Sequence, residues 1–164
     1  MTPAALSVRP ASLQDLLPVI RASALASELR GRPMWPQDSL TPERLERQYP
    51  GGQGHLGWLD TQPVAAMILL PSDPLFWPAD PPGDALYLHK LAVHPDWQGH
   101  GLSAQMIPAA IKETRAVGRP WLRLDTAAER PKLRSLYESL GFVLVREGRV
   151  DGWPAACYEL RVLG

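Results

Sequence analysis

The feature that most constrains this chain is a strand that runs into a glycine-rich turn and then into a helix. Its letters are LAVHPDWQGHGLS, from Leu91 to Ser103. Glycines at positions 99 and 101 give the backbone freedom and let an anion approach it closely. The unpaired amides and the dipole of the following helix favour negative charge there. The stretch therefore predicts a phosphate cradle, and a glycine-rich turn without a ligand is the alternative.

A second informative stretch is LRSLYESLGF, at residues 133–142. Its apolar residues recur at helical spacing, Pro131 stands at a first helical position, and Gly141 marks the end. The pattern predicts a helix with one apolar face, and Tyr137 lies on that face.

Periodicity along the rest of the chain predicts an α/β fold in the order β-α-α-β-β-β-α-β-α-β-β, a mixed sheet of about seven strands flanked by about four helices. Strands are expected at residues 6–9, 54–59, 64–70, 85–93, 121–125, 142–147 and 157–162, and helices at 12–31, 41–48, 102–118 and 131–140. Five prolines between positions 71 and 82 exclude a regular element there. That segment carries Phe76 and Trp77, and is either a rigid lip over a pocket or a surface loop.

Composition limits the possible classes of protein. The length of 164 residues predicts a single domain over residues 1–164, and no apolar run approaches the roughly 20 residues of a membrane span. Seventeen basic residues balance seventeen acidic ones, so neither nucleic acid nor a membrane surface is an expected partner. The start of the chain lacks a secretory pattern, and we expect a cytoplasmic protein.

Together the two stretches resemble the signature motifs of the GNAT acetyltransferase superfamily. There a strand with an L-x-V pattern leads to a Gln/Arg-x-x-Gly-x-Gly/Ala loop. This chain has Leu91-Ala-Val93 followed by Gln98-Gly-His-Gly-Leu-Ser103, in which only Ser103 departs from the pattern by replacing the usual Gly or Ala. The resemblance extends over nearly the whole chain and is specific at residues 86–142. It implies a GNAT-like fold and acetyl-CoA as co-substrate, with the pantetheine arm on the strand and the pyrophosphate on the loop. The cofactor-binding residues so implied are Leu91, Ala92, Val93, Gln98, Gly99, His100, Gly101, Leu102 and Ser103.

Arg130 departs from the family pattern, which commonly has Asn seven residues before the tyrosine of the second motif. Arginine cannot cap a helix as Asn does. Arg130 could pair with a phosphate of CoA, or belong to a solvated basic face with Lys132 and Arg134.

The resemblance also implies catalytic roles. Tyr137 corresponds to a tyrosine near the thioester sulfur that protonates the departing thiolate, and packing is its alternative role. The attacking amine must be neutral, and His89 is the leading candidate for its base, because an imidazole side chain suits proton transfer near neutral pH. A hydrogen bond inside the core is the alternative for His89. Asp125 and Glu129 are further candidates, for a base or for holding the substrate ammonium, or else are a turn carboxylate and a surface charge.

The tryptophans are unusually placed, because Trp35, Trp77 and Trp153 fall in predicted loops. An apolar acceptor pocket or a dimer contact would explain them, and we expect Trp35 and Trp77 to bind substrate. No metal is expected, since the four histidines show no paired ligand spacing. The single Cys157 could be an acyl-accepting nucleophile, but a lone cysteine on a late strand is usually buried and inert.

These features predict an acetyl-CoA-dependent N-acetyltransferase in which a primary amine attacks the thioester directly within a ternary complex. The acceptor would be a small amine or a peptide N-terminus, and the family suggests a homodimer. One alternative is a protein that binds acyl-CoA as a sensor or structural ligand without transfer. Another is an acyltransferase with a longer acyl donor or a hydroxyl acceptor.

Overall fold

The computed structural model describes residues 5–164, which fall into two compact units. The first unit holds the chain up to Leu69 together with Lys90–Ala109, and the second holds Leu70–His89 together with Ala110–Gly164. The single domain predicted over residues 1–164 stays a prediction. None of the helices in residues 5–164 has both the length and the apolar character needed to span a bilayer.

Seven strands and four α-helices follow one another in residues 5–164, in the predicted order. They are β1 (Ser7–Ala11), α1 (Leu13–Leu29), α2 (Pro42–Gln48), β2 (Gln53–Leu59), β3 (Gln62–Leu70), β4 (Ala85–Val93), α3 (Leu102–Ala116), β5 (Trp121–Ala127), α4 (Pro131–Ser139), β6 (Val143–Val150) and β7 (Trp153–Arg161). The last strand begins earlier than predicted, so Trp153, expected in a loop, opens β7. A short 3-10 turn at Pro95–Trp97, which was not predicted, follows β4.

The first unit is built on an antiparallel arrangement in which β2 lies between β1 and β3. The Ser12 side chain accepts the Asp15 amide at 3.1 Å and starts α1 as the sequence suggested. Helix α1 buries its apolar stripe, of Leu13, Leu16, Leu17, Val19, Ile20 and Ala24. Gly54 is required by a close approach, since a Cβ there would lie 2.6 Å from the Ala11 carbonyl oxygen.

The second unit contains a mixed sheet in the order β4-β5-β7-β6. Strand β4 runs parallel to β5, whereas β7 is antiparallel to both β5 and β6. The register places Tyr87 beside Arg123 and Asp125 opposite Cys157. Because side chains alternate along a strand, Arg123 and Asp125 share one face of this sheet.

Arg123 is the centre of a buried polar cluster on that face, and is 8% exposed. Its guanidinium binds Asp80 of the proline-rich segment at 3.0 Å, Asp84 just after that segment at 2.6 Å, and Glu159 of β7 at 2.9 Å. The segment is therefore fastened to the sheet by charge-assisted hydrogen bonds. Trp77 is 4% exposed, with the guanidinium carbons of Arg123 and Arg146 at 5.2 and 4.8 Å from its ring centroid.

Candidate active site

The glycine-rich turn of the first unit has the backbone conformation that its sequence predicts. Gly99 and Gly101 have φ angles of 86° and 73°, in the left-handed region that favours glycine. A Cβ added at either position would meet no heavy atom within 4 Å, so the space beside the backbone is open. Helix α3 begins directly afterwards, at Leu102. Unpaired amides of a first helical turn next to an open, exposed glycine backbone fit a phosphate group.

Gln98 closes the start of this turn with its side chain. Its amide nitrogen donates to the Val93 carbonyl at 3.1 Å, and its side-chain oxygen accepts from Arg30 at 2.9 Å. The side chain of Gln98 thus holds the turn in place, in addition to the cofactor role that the sequence suggested. His94 also supports the turn, because its Nδ1 accepts the Asp96 amide at 3.2 Å.

Lys90 is an unusual residue in the middle of β4. Its φ of 52° lies in the left-handed region, which is uncommon for a residue with a side chain. Its ammonium lies 4.7 Å from the ring centroid of Trp35 and 5.5 Å from that of Tyr49. Trp35, an expected substrate-binding residue, therefore takes part in a cation–π contact within the first unit.

His89 lies between two aspartates in the second unit. Its Nε2 is 2.7 Å from Oδ2 of Asp73, and its Nδ1 is 4.0 Å from Oδ1 of Asp125. The side chains of His89, Asp73 and Asp125 are only 12%, 7% and 16% exposed. The structure thus brings together two predicted site residues, His89 and Asp125, with a third that sequence reasoning missed.

Asp73 was missed because it lies in the proline-rich segment, where no periodicity points to a face. The only signal is its place before Pro74, in a context that favours a side-chain-capped turn. Such a turn is present, since Oδ1 of Asp73 accepts the Phe76 amide at 3.4 Å and its carbonyl accepts the Trp77 amide at 2.9 Å.

The Asp73, His89 and Asp125 cluster also has the residue types of a metal site. One ligand atom from each lies within 4.8 Å of the others. However, the two carboxylates approach different ring nitrogens, and a single ion would bind only one of these nitrogens. The geometry fits a hydrogen-bonded imidazole better, and the absence of a metal stays a prediction.

Tyr137 lies on α4, buried at 6% exposure. Its ring meets Phe142 edge-on at 5.8 Å between centroids and lies 6.4 Å from the ring of Tyr158. Burial, with a smaller contribution from the charge of Asp125, raises the pKa of Tyr137 well above its usual value. The phenol therefore keeps its proton at neutral and alkaline pH, which preserves it as a hydrogen-bond donor while its ring packs in the core.

The residues before α4 form a turn. Arg130 stands at the N-cap position, makes no capping hydrogen bond with its side chain, and donates its amide to the Ala127 carbonyl at 3.1 Å. The arginine therefore does not reproduce the cap that an asparagine would supply. Glu129 is exposed in the same turn.

Cys157 is buried on β7, with 2% of its surface exposed. Its sulfur lies 3.9 Å from the Phe76 carbonyl oxygen. Burial raises the pKa of the Cys157 thiol to about 11, despite an opposing contribution from Arg146. A thiol that remains protonated at neutral pH is a poor nucleophile.

Sequence comparison matches residues 22–142 to the acetyltransferase (GNAT) family. Over 57 residues the chain is 35% identical to a mycothiol acetyltransferase from Nocardiopsis dassonvillei, covering 35% of this chain and 17% of that protein. Over 87 residues it is 31% identical to the uncharacterized N-acetyltransferase YesJ of Bacillus subtilis, covering 51% of this chain and 48% of YesJ. The matches thus span less than half of the length of either relative.

Solved structures match almost the whole chain. An acetyltransferase from Thermus thermophilus has a TM-score of 0.73 at 20% identity, over 98% of this chain and 99% of its own. YncA of Salmonella typhimurium, a putative acetyltransferase solved with its cofactor acetyl-CoA, has a TM-score of 0.71 at 16% identity, over 96% and 94%. The ribosomal-protein-S18-alanine N-acetyltransferase of Escherichia coli has 0.70 at 21%, over 96% and 94%. These likenesses confirm the predicted fold class.

Proposed function

Because this chain belongs to the GNAT acetyltransferase family, we propose that it transfers the acetyl group of acetyl-CoA directly to a primary amine within a ternary complex. The observation that carries the proposal is the open, left-handed backbone at Gly99 and Gly101, next to the start of α3. A backbone of this kind suits a pyrophosphate, because its amides can bind the anion without a side chain in the way.

The donor side is assigned to the end of β4 and the turn that follows it. Amides of residues 98–103 hold the pyrophosphate, the Ser103 hydroxyl adds a hydrogen bond, and main-chain groups of residues 91–93 bind the pantetheine arm. Arg130 pairs with a phosphate of CoA. Acetyl-CoA supplies an activated acyl group, and these residues orient it.

The acceptor side is assigned to the acidic surroundings of His89 and to the tryptophans. His89 takes a proton from the acceptor ammonium, while Asp125 and Glu129 attract its positive charge. Tyr137 donates its phenolic hydrogen to the sulfur as negative charge develops there. Trp35 and Trp77 remain our proposed wall residues, and the burial of Trp77 supports a backing position rather than a surface contact.

A small amine or a peptide N-terminus is the proposed acceptor, in the cytoplasm. The likeness to an enzyme whose name specifies the alanine of a ribosomal protein supports including peptides in an acceptor screen.

A homodimer is also proposed, with β6 as its interface. In residues 5–164 this strand pairs only with β7, and Val143, Leu144 and Val145 are 65%, 40% and 45% exposed. An apolar edge strand is a template for pairing with another chain, and light scattering would show the mass of a dimer.

Calorimetric titration with acetyl-CoA and CoA tests the donor site. Gly101→Glu places a bulky anion in the cradle, and we expect it to abolish binding. Gly118→Glu is the matched control, because Gly118 has a similar φ of 75° and equally open surroundings but follows α3. Wild-type binding that is lost only in Gly101→Glu supports the proposal. A screen of amines, with detection of the released CoA thiol, then tests acetyl transfer. A wild type that binds neither ligand contradicts it.

A further inference from the structure

We propose that Asp73 is a positioning residue that holds His89 in the tautomer protonated at Nε2, which makes Nδ1 the atom that takes the acceptor's proton. The inference rests on the proposed function, in which His89 is the base. It adds a residue that lies outside both signature stretches and assigns the proton transfer to one nitrogen.

Nε2 of His89 lies within hydrogen-bonding distance of Oδ2 of Asp73. At 2.7 Å this contact is a short hydrogen bond, and an ionised carboxylate can only accept. The hydrogen in this bond therefore belongs to Nε2. A neutral imidazole with its hydrogen on Nε2 has its lone pair on Nδ1.

The orientation of Asp73 is itself fixed by the chain around it. Its Oδ1 accepts the Phe76 amide at 3.4 Å, so each carboxylate oxygen has a separate partner. The Phe76 ring lies 6.4 Å from that of His89, at a tilt of 49°. The segment is fastened further along by the bonds of Asp80 and Asp84 to Arg123. A carboxylate held this firmly can select one tautomer of its histidine.

Asp125 completes the arrangement on the other side of the ring. Its Oδ1 is 4.0 Å from Nδ1, too long for a hydrogen bond but close enough for its charge to act there. A carboxylate beside the lone pair attracts an acceptor ammonium to it. When the proton moves, the acceptor's N–H bond breaks and an Nδ1–H bond forms. The amine becomes neutral and keeps the electron pair, and the imidazolium lies between the two carboxylates.

Asp73→Asn tests the inference, because the turn dictates how the amide orients. The Phe76 amide needs an acceptor, so the Asn oxygen faces Phe76 and the Asn NH₂ group faces His89. Nε2 must then accept, and His89 shifts to the tautomer protonated at Nδ1, where no lone pair is left for the acceptor. Asp84→Asn is the matched control: it makes the same change just after the same segment, but Asp84 binds Arg123.

Nitrogen-15 NMR of the histidine rings reads the tautomer directly, and loss of a signal pair in His89→Gln identifies His89. At a pH where the ring is neutral, we expect the Nε2–H form in the wild type and in Asp84→Asn, and the Nδ1–H form in Asp73→Asn. Acetyl transfer by Asp73→Asn should fall by roughly 10²- to 10⁴-fold, with the acetyl-CoA dissociation constant unchanged.

The NMR and acetyl-transfer measurements distinguish a failure of the role of Asp73 from a failure of the proposed function. A wild-type His89 protonated at Nδ1, or a tautomer unaffected by Asp73→Asn, overturns the positioning role whatever the activity. A tautomer that switches while turnover persists overturns the assignment of Nδ1 as the proton acceptor. If the wild type binds acetyl-CoA but transfers nothing to any amine, the proposed function fails, and the NMR result alone decides whether Asp73 sets the tautomer.

Discussion

Arg30, which follows α1, donates a hydrogen bond of 2.9 Å to the side-chain oxygen of Gln98 at the start of the glycine-rich turn. Gln98 passes the connection on, since its side-chain amide donates to the Val93 carbonyl at the end of β4. One side chain thus links the end of a helix, a strand and the cradle. Its contribution to binding is the order that it gives the turn before a ligand arrives.

We expect Gln98→Ala to weaken acetyl-CoA binding without unfolding the protein. Losing two partly exposed hydrogen bonds, each worth about 0.5–1.5 kcal/mol, should cost about 1–3 kcal/mol in all and raise the dissociation constant by at least roughly fivefold and at most about 150-fold in calorimetry. Arg30→Ala removes one of these bonds and should have a smaller effect. Gln105→Ala, at an exposed position on α3, is the control and should bind like the wild type. Equal affinities for Gln98→Ala and Gln105→Ala would show that the bridge has no part in binding.

Tyr137→Phe should separate proton donation from packing. The ring contacts with Phe142 and Tyr158 survive in the variant, so acetyl-CoA affinity and the urea midpoint should change little. Turnover should fall by roughly 10²-fold if the phenol assists the leaving thiolate. Because the pKa of Tyr137 is raised, the wild type keeps this donor above pH 9, and the ratio of the two turnover numbers should stay constant from pH 7 to 9. Unchanged turnover would leave packing as the role of Tyr137.

What the sequence could predict here depends on how local each determinant is. The left-handed glycines at 99 and 101 and the cap at Ser12 are set by neighbouring residues, and their patterns are readable in the letters. Asp73 lies in a segment without hydrophobic periodicity, and it contacts a histidine that is 16 positions away along the chain. Nothing in the letters indicated which way it turns.

Two further features of the structure could not be predicted from the sequence. The β-pattern at 85–93 predicts a regular strand, and nothing in the sequence indicates the left-handed backbone at Lys90. The partners of Arg123 lie 36 to 43 positions away from it along the chain. Such a cluster becomes visible only when strand register and segment path are both known.

Removing Arg123 should be the most destabilising change in the second unit. Arg123→Met leaves Asp80, Asp84 and Glu159 close together without their cation, at an expected cost of about 3–5 kcal/mol. Arg161→Met is the control: Arg123 and Arg161 lie over the ring of Trp121 at 5.2 and 5.0 Å, but Arg161 is exposed, and its loss should cost about 1 kcal/mol or less. Urea unfolding measures both. If Arg123→Met does not fold, Arg123→Lys, which keeps the charge but not the planar fork, should fold with an intermediate loss. Equal stabilities for Arg123→Met and Arg161→Met would contradict the central role of Arg123.

At position 90, glycine should destabilise the protein less than alanine, which is the reverse of their usual order in a strand. Glycine normally destabilises a strand interior by about 0.5–1 kcal/mol relative to alanine, but a left-handed φ costs a residue with a side chain about 1–2 kcal/mol. Both Lys90→Ala and Lys90→Gly lose the contact with Trp35, so their difference isolates the backbone. We expect Lys90→Gly to be the more stable by about 1 kcal/mol in urea unfolding. The same pair at the helical residue Lys112 should give the opposite sign, and an ordinary order at Lys90 would contradict backbone strain there.

Cys157 should take no part in catalysis. With its pKa raised to about 11, only about one thiol in a thousand is ionised at pH 8, and the group is buried. Alkylation of the native protein should therefore be slow and accelerate only on unfolding, and Cys157→Ala should retain turnover. An acetylated Cys157 found by mass spectrometry after incubation with acetyl-CoA would instead establish a covalent route.

The raised pKa of Cys157 also determines how the stability of the protein changes with pH. Stability from the protonated thiol is complete below the pKa of the unfolded state and is lost as pH rises towards 11. Between pH 8.5 and 11 the wild type should thus lose more free energy of unfolding than Cys157→Ala, and parallel losses would show that the thiol is ionised as easily in the folded state as in the unfolded chain.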